Sequence, residues 1–132
     1  MADKLIRTAV VMSFFLALAF FSGCGTNRLN LTEADNGKRI SATTADVIAL
    51  TLESNPTTGY SWQVMEINNT VLVQDGEPEY KSDGQNIPGA GGTETFHFKT
   101  IGTGEATLVL GYMRPWESVP PIETFYVQIT VQ

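Results

Sequence analysis

Hydrophobic and polar residues alternate with a period of two along five stretches of the chain. In the first, VIALTLE, the residues Ile48, Leu50 and Leu52 share one face. Short alternating stretches that are rich in β-branched and aromatic residues, and are separated by Gly, Pro and Asn turns, predict β-strands. The other four stretches are residues 60–65, 93–99, 106–113 and 123–131.

Three shorter apolar stretches are weaker strand candidates, namely residues 29–31, 39–41 and 71–74. About seven or eight strands in a chain of this length predict an all-β fold, and the fold that most often has this number of strands is an immunoglobulin-like β-sandwich. The chain has one cysteine, so the disulfide of true immunoglobulin domains cannot form. We therefore expect a core held by packing alone, with aromatic anchors at Trp62, Phe96, Phe98 and Phe125.

The first 23 residues have the pattern of a secretory signal peptide. Lys4 and Arg7 precede an apolar run from Ala9 to Phe21, and small residues follow it. The run is shorter than the roughly 20 residues that a membrane-spanning helix needs. A buried core helix is the alternative, but no other part of the chain has the helical pattern to pack against it. Residues 1–23 are thus expected to be removed.

Cys24 directly follows this segment and resembles the lipid-modified cysteine of a bacterial lipoprotein. The alternative is an ordinary cleavage site beside an unmodified cysteine. A lipid on Cys24 would hold the protein at a membrane surface without inserting it. We expect residues 24–28 to form the lipidated cysteine and a tether, and residues 29–132 to form the domain. The expected location is the bacterial cell envelope, in the periplasm or at the outer membrane, after secretion across the inner membrane.

The charge of the chain argues against nucleic acid as a partner. The net charge is −6 at pH 7, and loss of residues 1–23, with one acidic and two basic side chains, would make it −7. Phosphate backbones need basic patches, and no Lys/Arg cluster follows the signal segment. The acidic stretch 74–85 lacks the ligand spacing of a calcium loop, and it is interpreted as a solvated loop. No metal or cofactor is expected.

The inventory of reactive side chains argues against an enzyme. His97 is the only histidine, and it alternates with Phe96 and Phe98 and so faces away from them. No serine lies in a nucleophile elbow, no free thiol remains if Cys24 is acylated, and there is no second His or Cys with which to build a zinc site. A pair of carboxylates for glycoside hydrolysis leaves no mark in a single sequence, so a hydrolase of that kind stays open as an alternative.

Three loop sequences stand out between the predicted strands: NPTTG from Asn55, PGAGG from Pro88 and MRPWE from Met113. The first combines residues that stiffen turns. The second is flexible and allows close backbone approach. The third offers Trp and Arg, the residue types enriched at binding hot spots. In the strand order of an immunoglobulin-like sandwich, all three connections fall at one end.

SNPTTGYSW, GAGGTETFHF and YMRPW together resemble the chagasin-like inhibitors of papain-family cysteine peptidases, over about residues 29–131. The resemblance implies an immunoglobulin-like fold and a reversible, tight-binding competitive inhibitor that is not an enzyme. It also implies that one loop enters the catalytic cleft and that the other two flank it. The implied contact residues are Asn55, Pro56, Thr57, Thr58, Gly59 and Tyr60, then Gly89, Ala90, Gly91 and Gly92, then Arg114, Pro115 and Trp116.

The composition of the first loop suits such a role. Small hydroxyls and backbone dipoles can meet a thiolate–imidazolium pair without bringing a charge that must be desolvated. A stiff loop loses little entropy on docking. We expect a monomer that binds one papain-family cysteine peptidase. The main alternative is a membrane-anchored immunoglobulin-like lipoprotein that binds through the same loops and inhibits nothing.

Overall fold

The computed structural model describes residues 25–84 and 87–132, which form nine strands. The signal peptide and the lipid site predicted at residues 1–24 lie outside the described residues. Two single turns of 3-10 helix are present, at Glu33–Asp35 and Pro56–Thr58. Neither helical turn in the described residues has the length and apolar character that crossing a membrane requires. The strands are β1 Arg28–Leu31, β2 Arg39–Ala42, β3 Val47–Ser54, β4 Ser61–Glu66, β5 Leu72–Gln74, β6 Glu79–Ser82, β7 Gly92–Thr100, β8 Gly104–Met113 and β9 Glu123–Val131.

The strands form two sheets. The first has the order β1-β3-β7-β5, with β6 also paired to β7, and the second has the order β2-β9-β8-β4. The pairs β1–β3 and β2–β9 are parallel, and the other pairs are antiparallel. The all-β, immunoglobulin-like sandwich predicted from the alternation is confirmed.

All eight predicted strands are present, and a ninth was missed. β6 lies inside the acidic stretch that was interpreted as a solvated loop, and that interpretation is wrong for residues 79–82. Among the described residues this strand pairs with β7 alone, and all four of its own residues are exposed. Alternation arises when one face of a strand is buried, so an edge strand with two solvated faces leaves no such pattern.

The core lies between the two sheets and is built as the alternation predicted. The four expected anchors, Trp62, Phe96, Phe98 and Phe125, are each 4% exposed or less. Phe96 and Phe98 stack with ring centroids 6.4 Å apart, while His97 between them is half-buried on the opposite face. Burial of each large apolar side chain contributes about 1.5–3 kcal/mol, which lets the sandwich hold without a disulfide.

Trp62 joins the two sheets near the end of β3. Its backbone N–H donates to Oε2 of Glu94 on β7, at 3.1 Å. Its indole Nε1 donates to the carbonyl oxygen of Glu53 on β3, at 2.8 Å. The buried carboxylate of Glu94 therefore satisfies a backbone donor on the edge strand β4. These bonds fix the positions at which the chain leaves β3 and enters β4.

At the other end of the sandwich, the turn between β2 and β3 is organised by Asp46. This residue is 3% exposed, and its carboxylate accepts the backbone N–H groups of Thr43 at 2.8 Å and Asn27 at 3.2 Å. These bonds, led by that from Thr43, hold the pKa of Asp46 below its usual value. Because Arg28 pairs in parallel with Val47, β1 starts at this same end.

Candidate functional site at the loop end

Three loops leave the sandwich at the end where β3 and β8 finish. Ser54 at the end of β3 lies opposite Gly92 at the start of β7, and Ser61 at the start of β4 lies opposite Met113 at the end of β8. We call this the loop end. The first loop is residues 55–60, the second is residues 83–84 and 87–91, and the third is residues 114–122. They gather at one end, as the strand order predicted.

The first loop is a closed turn organised by Asn55. Pro56–Thr58 form one 3-10 turn that ends at Gly59, whose φ is 82°. The Thr57 hydroxyl donates to Oδ1 of Asn55, and the Thr58 hydroxyl donates to the Asn55 carbonyl oxygen at 2.6 Å. Proline fixes φ at the start of the turn, and glycine accepts the left-handed conformation at its end. The exposed tip, Pro56 to Thr58, is therefore rigid and uncharged.

Asn55 also ties the first loop to the second, because its Nδ2 donates to the carbonyl oxygen of Gly89 at 3.3 Å. Gly89 is exposed and has a φ of 79°, while Ala90 and Gly91 are half-buried. Gly92 differs from these three residues because it is buried within β7. A Cβ atom there would overlap the carbonyl oxygen of Lys81 on β6. Gly92 thus allows β6 to pair closely, and it does not belong to the exposed part of the loop.

Arg114 ties the third loop to the first. Its Nε donates to the carbonyl oxygen of Thr58 at 3.1 Å, and its guanidinium lies 4.5 Å from the ring centroid of Tyr60. Its Nη1 pairs with Oε1 of Glu117 at 3.1 Å. The side chain of Arg114 is therefore directed toward the first loop, and its charge is balanced within the third loop.

Trp116 is the most exposed large hydrophobic residue among those described, with 70% of its surface accessible. It nevertheless contacts the first loop. An ideal Cβ atom on Gly59 would lie 2.6 Å from Cη2 of Trp116, so the indole packs directly over the glycine backbone. The neighbouring Pro115 is exposed and stiffens the turn that carries Trp116.

Tyr112 is a positioning residue that sequence reasoning treated only as a strand residue. Its hydroxyl accepts the backbone N–H of Asn55 at 2.9 Å. Its ring lies 5.5 Å from that of Tyr60 and 5.1 Å from that of Trp62, between centroids. These three aromatic rings connect the core to the first loop. The positioning role of Tyr112 follows from the pairing of Tyr112 on β8 with Trp62 on β4. Alternation along a single strand does not show which residues of two strands are paired.

The second and third loops also carry exposed apolar side chains. Ile87 in the second loop is 65% exposed, and Val119 and Ile122 in the third loop are 54% and 58% exposed. We call these three residues and Trp116, which are the exposed large apolar side chains of the second and third loops, the apolar rim of the loop end. Exposed apolar groups of this kind, gathered on one surface, are typical of protein-binding sites.

Comparison with known proteins identifies the family. The family model described as "Chagasin family peptidase inhibitor I42" matches residues 41–131. Amoebiasin-1 of Entamoeba histolytica is 37% identical over 110 residues, which cover 79% of this chain and 100% of that protein. Chagasin of Trypanosoma cruzi is 34% identical over 90 residues, which cover 65% of this chain and 81% of that protein.

Solved structures agree in fold. The solution structure of amebosin has a TM-score of 0.66 and 34% identity, and the match covers 82% of this chain and 100% of that one. The crystal structure of the cysteine protease inhibitor EhICP2 from Entamoeba histolytica has a TM-score of 0.73 over 83% of this chain and 100% of that one, at 24% identity. The chain therefore belongs to the chagasin family, as its loop motifs indicated, and this is a family of peptidase inhibitors and not of enzymes.

Proposed function

We propose that this protein is a reversible, tight-binding competitive inhibitor of papain-family cysteine peptidases, and that its three loops dock in the active-site cleft. One observation carries the proposal. The rigid, uncharged tip at Pro56–Thr58 is hydrogen-bonded to the second loop through Asn55 and to the third through Arg114. A preorganised surface of this kind loses little entropy on binding. Membership in a family of peptidase inhibitors supports the same function.

The hydroxyl groups of the tip are oriented to meet the histidine of the peptidase's catalytic Cys–His pair rather than the cysteine. Both Thr57 and Thr58 use their O–H protons on Asn55, so their remaining lone pairs are acceptors. A papain-like enzyme holds a thiolate beside a protonated histidine. The tip would therefore accept hydrogen bonds from the imidazolium rather than donate to the thiolate, and this refines the expectation from the sequence.

The same hydrogen bonds explain how the loop would resist cleavage. The carbonyl of Thr58 is held by Arg114, and the carbonyl of Asn55 accepts both the hydroxyl and the N–H of Thr58. Nucleophilic attack needs a carbonyl that can reach a near-attack geometry. Carbonyl groups that are fixed inside a closed turn do not reach it, so we expect the inhibitor to dissociate intact.

The exposed rim would supply most of the affinity. A tryptophan side chain buries about 150–250 Å², which corresponds to about 4–6 kcal/mol gross at about 25 cal/mol per Å². Since Trp116 is largely exposed in the free protein, most of that area remains to be buried by a partner. Three loop tips together could fill a standard protease–inhibitor interface of about 1,600 Å², in a one-to-one complex.

The direct test is a titration of residues 25–132 into active papain with a fluorogenic peptide substrate. We expect competitive inhibition at nanomolar concentration and recovery of the inhibitor uncut. If a folded preparation inhibits neither papain nor a cathepsin-L-like peptidase, the proposal is wrong. Binding to a surface protein without competition for an active site would then favour the non-inhibitory lipoprotein.

For location, we propose secretion followed by lipid attachment through Cys24 to a bacterial cell envelope. The basic residues, apolar run and small residues ahead of Cys24 support this. Metabolic labelling with a fatty acid should mark the protein, and Cys24→Ser should abolish the label and release the protein from membranes. Labelling that persists in this variant would contradict the assignment.

A further inference from the structure

A cleft of about 370 Å³ opens at the loop end beside the first loop. Four carboxylate side chains line it, and all four residues are exposed: Glu33, Glu53, Asp83 and Glu123. Asn55, the organising residue of the first loop, lines the same cleft. The cleft is therefore continuous with the surface that is proposed to contact the peptidase.

The described residues that line this cleft carry negative charge and no positive charge. Among them there is neither a lysine nor an arginine. In the part of the chain that the structure describes, the three ion pairs use other carboxylates, those of Asp35, Asp75 and Glu117. Glu33 accepts the backbone N–H of Glu53 at 2.8 Å, which orders this side of the cleft. Carboxylates of one sign that share a concave surface create a potential that favours a cation.

An independent observation comes from Ser54, which lines the same cleft. It is the last residue of β3 and is 5% exposed. Its Oγ has no hydrogen-bond partner among residues 25–84 and 87–132. Buried hydroxyls are nearly always hydrogen-bonded, so the Oγ of Ser54 is open to a donor from outside the described residues, and a bound partner is one source of such a donor. A hydroxyl oxygen can accept from an N–H donor.

We propose that this cleft is a subsite for a basic side chain, lysine or arginine, at the rim of the active-site cleft of the bound peptidase. The inference rests on the proposed function and narrows the partner to peptidases with such a residue. A lysine or arginine supplies both the positive charge that the carboxylates attract and the N–H donors that Ser54 lacks. A metal ion fits less well, because the described residues contain no group of three Asp, Glu, His or Cys side chains placed to hold one.

The test compares two triple variants of equal charge. The cleft variant is E53Q/D83N/E123Q. The control variant, E66Q/E77Q/E105Q, removes three exposed carboxylates that do not line the cleft. Both variants have the same net charge, so a difference between them reports position and not general attraction. Thermal unfolding establishes that each is folded before binding is measured.

The probe is papain in which the residues around the active-site rim are replaced one at a time by arginine. We expect at least one of these variants to bind wild type and the control variant about tenfold more tightly than papain does, with no gain for the cleft variant. The gain should shrink as salt is added, because the four carboxylates are exposed. If no rim position distinguishes the cleft variant from the control variant, the subsite proposal is wrong.

Two further outcomes separate the alternatives. Failure of the wild-type protein to inhibit unmodified papain or a cathepsin-L-like peptidase would overturn the proposed function before any variant is compared. Addition of calcium chloride to the free protein should leave its unfolding temperature unchanged. A rise in wild type that is absent from the cleft variant would show that an inorganic cation occupies the cleft, and would overturn the assignment to a basic side chain.

Discussion

The hydroxyl of Tyr112 lies 2.9 Å from the backbone nitrogen of Asn55 and accepts its N–H. This bond connects the end of β8 to the first residue of the first loop. Because Asn55 in turn holds Thr57, Thr58 and Gly89, one phenol oxygen supports both the first and the second loop. Tyr112 therefore acts on binding through the residues that it positions.

Tyr112→Phe should weaken inhibition without unfolding the protein. A hydrogen bond contributes about 0.5–1.5 kcal/mol net, so we expect an inhibition constant about 2–12 times higher. Tyr126→Phe is the matched control, since Tyr126 is a half-buried strand residue whose hydroxyl makes no hydrogen bond among the described residues. Steady-state inhibition of papain measures both. Equal effects of the two changes would contradict a positioning role for Tyr112.

Gly59→Ala should weaken inhibition more than Tyr112→Phe does, because two constraints disfavour a side chain at this position. Its φ of 82° is unfavourable for alanine, and its Cβ would lie 2.6 Å from the ring of Trp116. The left-handed conformation should lower the free energy of unfolding by about 1–2 kcal/mol. Displacement of Trp116 should in addition weaken inhibition by more than about tenfold.

Gly76→Ala separates these two effects. Gly76 has a φ of 80°, and no atom lies within 4 Å of the position that a Cβ atom would take there, so it carries the backbone strain alone. Urea unfolding should show similar destabilisation in both variants, and only Gly59→Ala should lose inhibition. Inhibition that survives in Gly59→Ala would mean that the packing of Trp116 on the first loop is not needed.

Trp116→Ala should reduce inhibition by more than about tenfold and leave stability nearly unchanged. The side chain is 70% exposed, so its removal exposes little surface in the free protein. Ile101→Ala is a suitable control, as Ile101 is 54% exposed and lies between β7 and β8, away from the loop end. An unchanged inhibition constant for a folded Trp116→Ala protein would remove the third loop from the mechanism.

Thr57→Glu should abolish inhibition and leave the fold intact. Thr57 lies at the exposed tip of the 3-10 turn, and a longer, charged side chain there would have to be desolvated within the cleft. Thr44→Glu provides the control, because Thr44 is also exposed but lies in the turn between β2 and β3. Inhibition by the Thr57 variant at the wild-type concentration would exclude entry of this tip.

Stability should fall in acid in part because of Asp46. Its pKa is lowered in the folded protein, first by the hydrogen bond from the N–H of Thr43. A carboxyl group with a depressed pKa stabilises the fold above its unfolded pKa, which is about 3.9, and this contribution is lost as the pH falls through the folded value. Urea midpoints measured from neutral pH downward should therefore decline below about pH 4. Asp46→Asn should be less stable at neutral pH and should flatten this decline.

The sheets were predictable from sequence because one face of most strands is buried. Leu50 and Phe96, for example, belong to stretches in which apolar and polar residues alternate, and both are buried in the core. The strand β6 has no buried face. A feature related to it is Gly92 on the neighbouring strand, where a side chain would overlap the carbonyl oxygen of Lys81. That relationship joins residues from different strands and is not visible in either segment alone.

The three loops were predictable as motifs, but the interactions between them were not. Proline and glycine in NPTTG indicate a stiff turn from local chemistry. The bonds from Arg114 to Thr58 and from Asn55 to Tyr112 join residues more than 50 positions apart. Only strand pairing brings these residues together. The sequence therefore indicated the arginine as a binding residue, whereas the structure directs its side chain toward the first loop.

The parallel pairing of β1 with β3 determines at which end of the sandwich the protein can be attached to a surface. Arg28 at the start of β1 and Val131 at the end of β9 both lie at the end that contains Asp46. The eight residues of β3 rise about 26 Å at about 3.3 Å each, and they separate that end from Ser54 and the first loop. A bilayer, a sensor chip or a fused protein joined at either terminus would thus leave the loops pointing outward, available to a peptidase that approaches from solution.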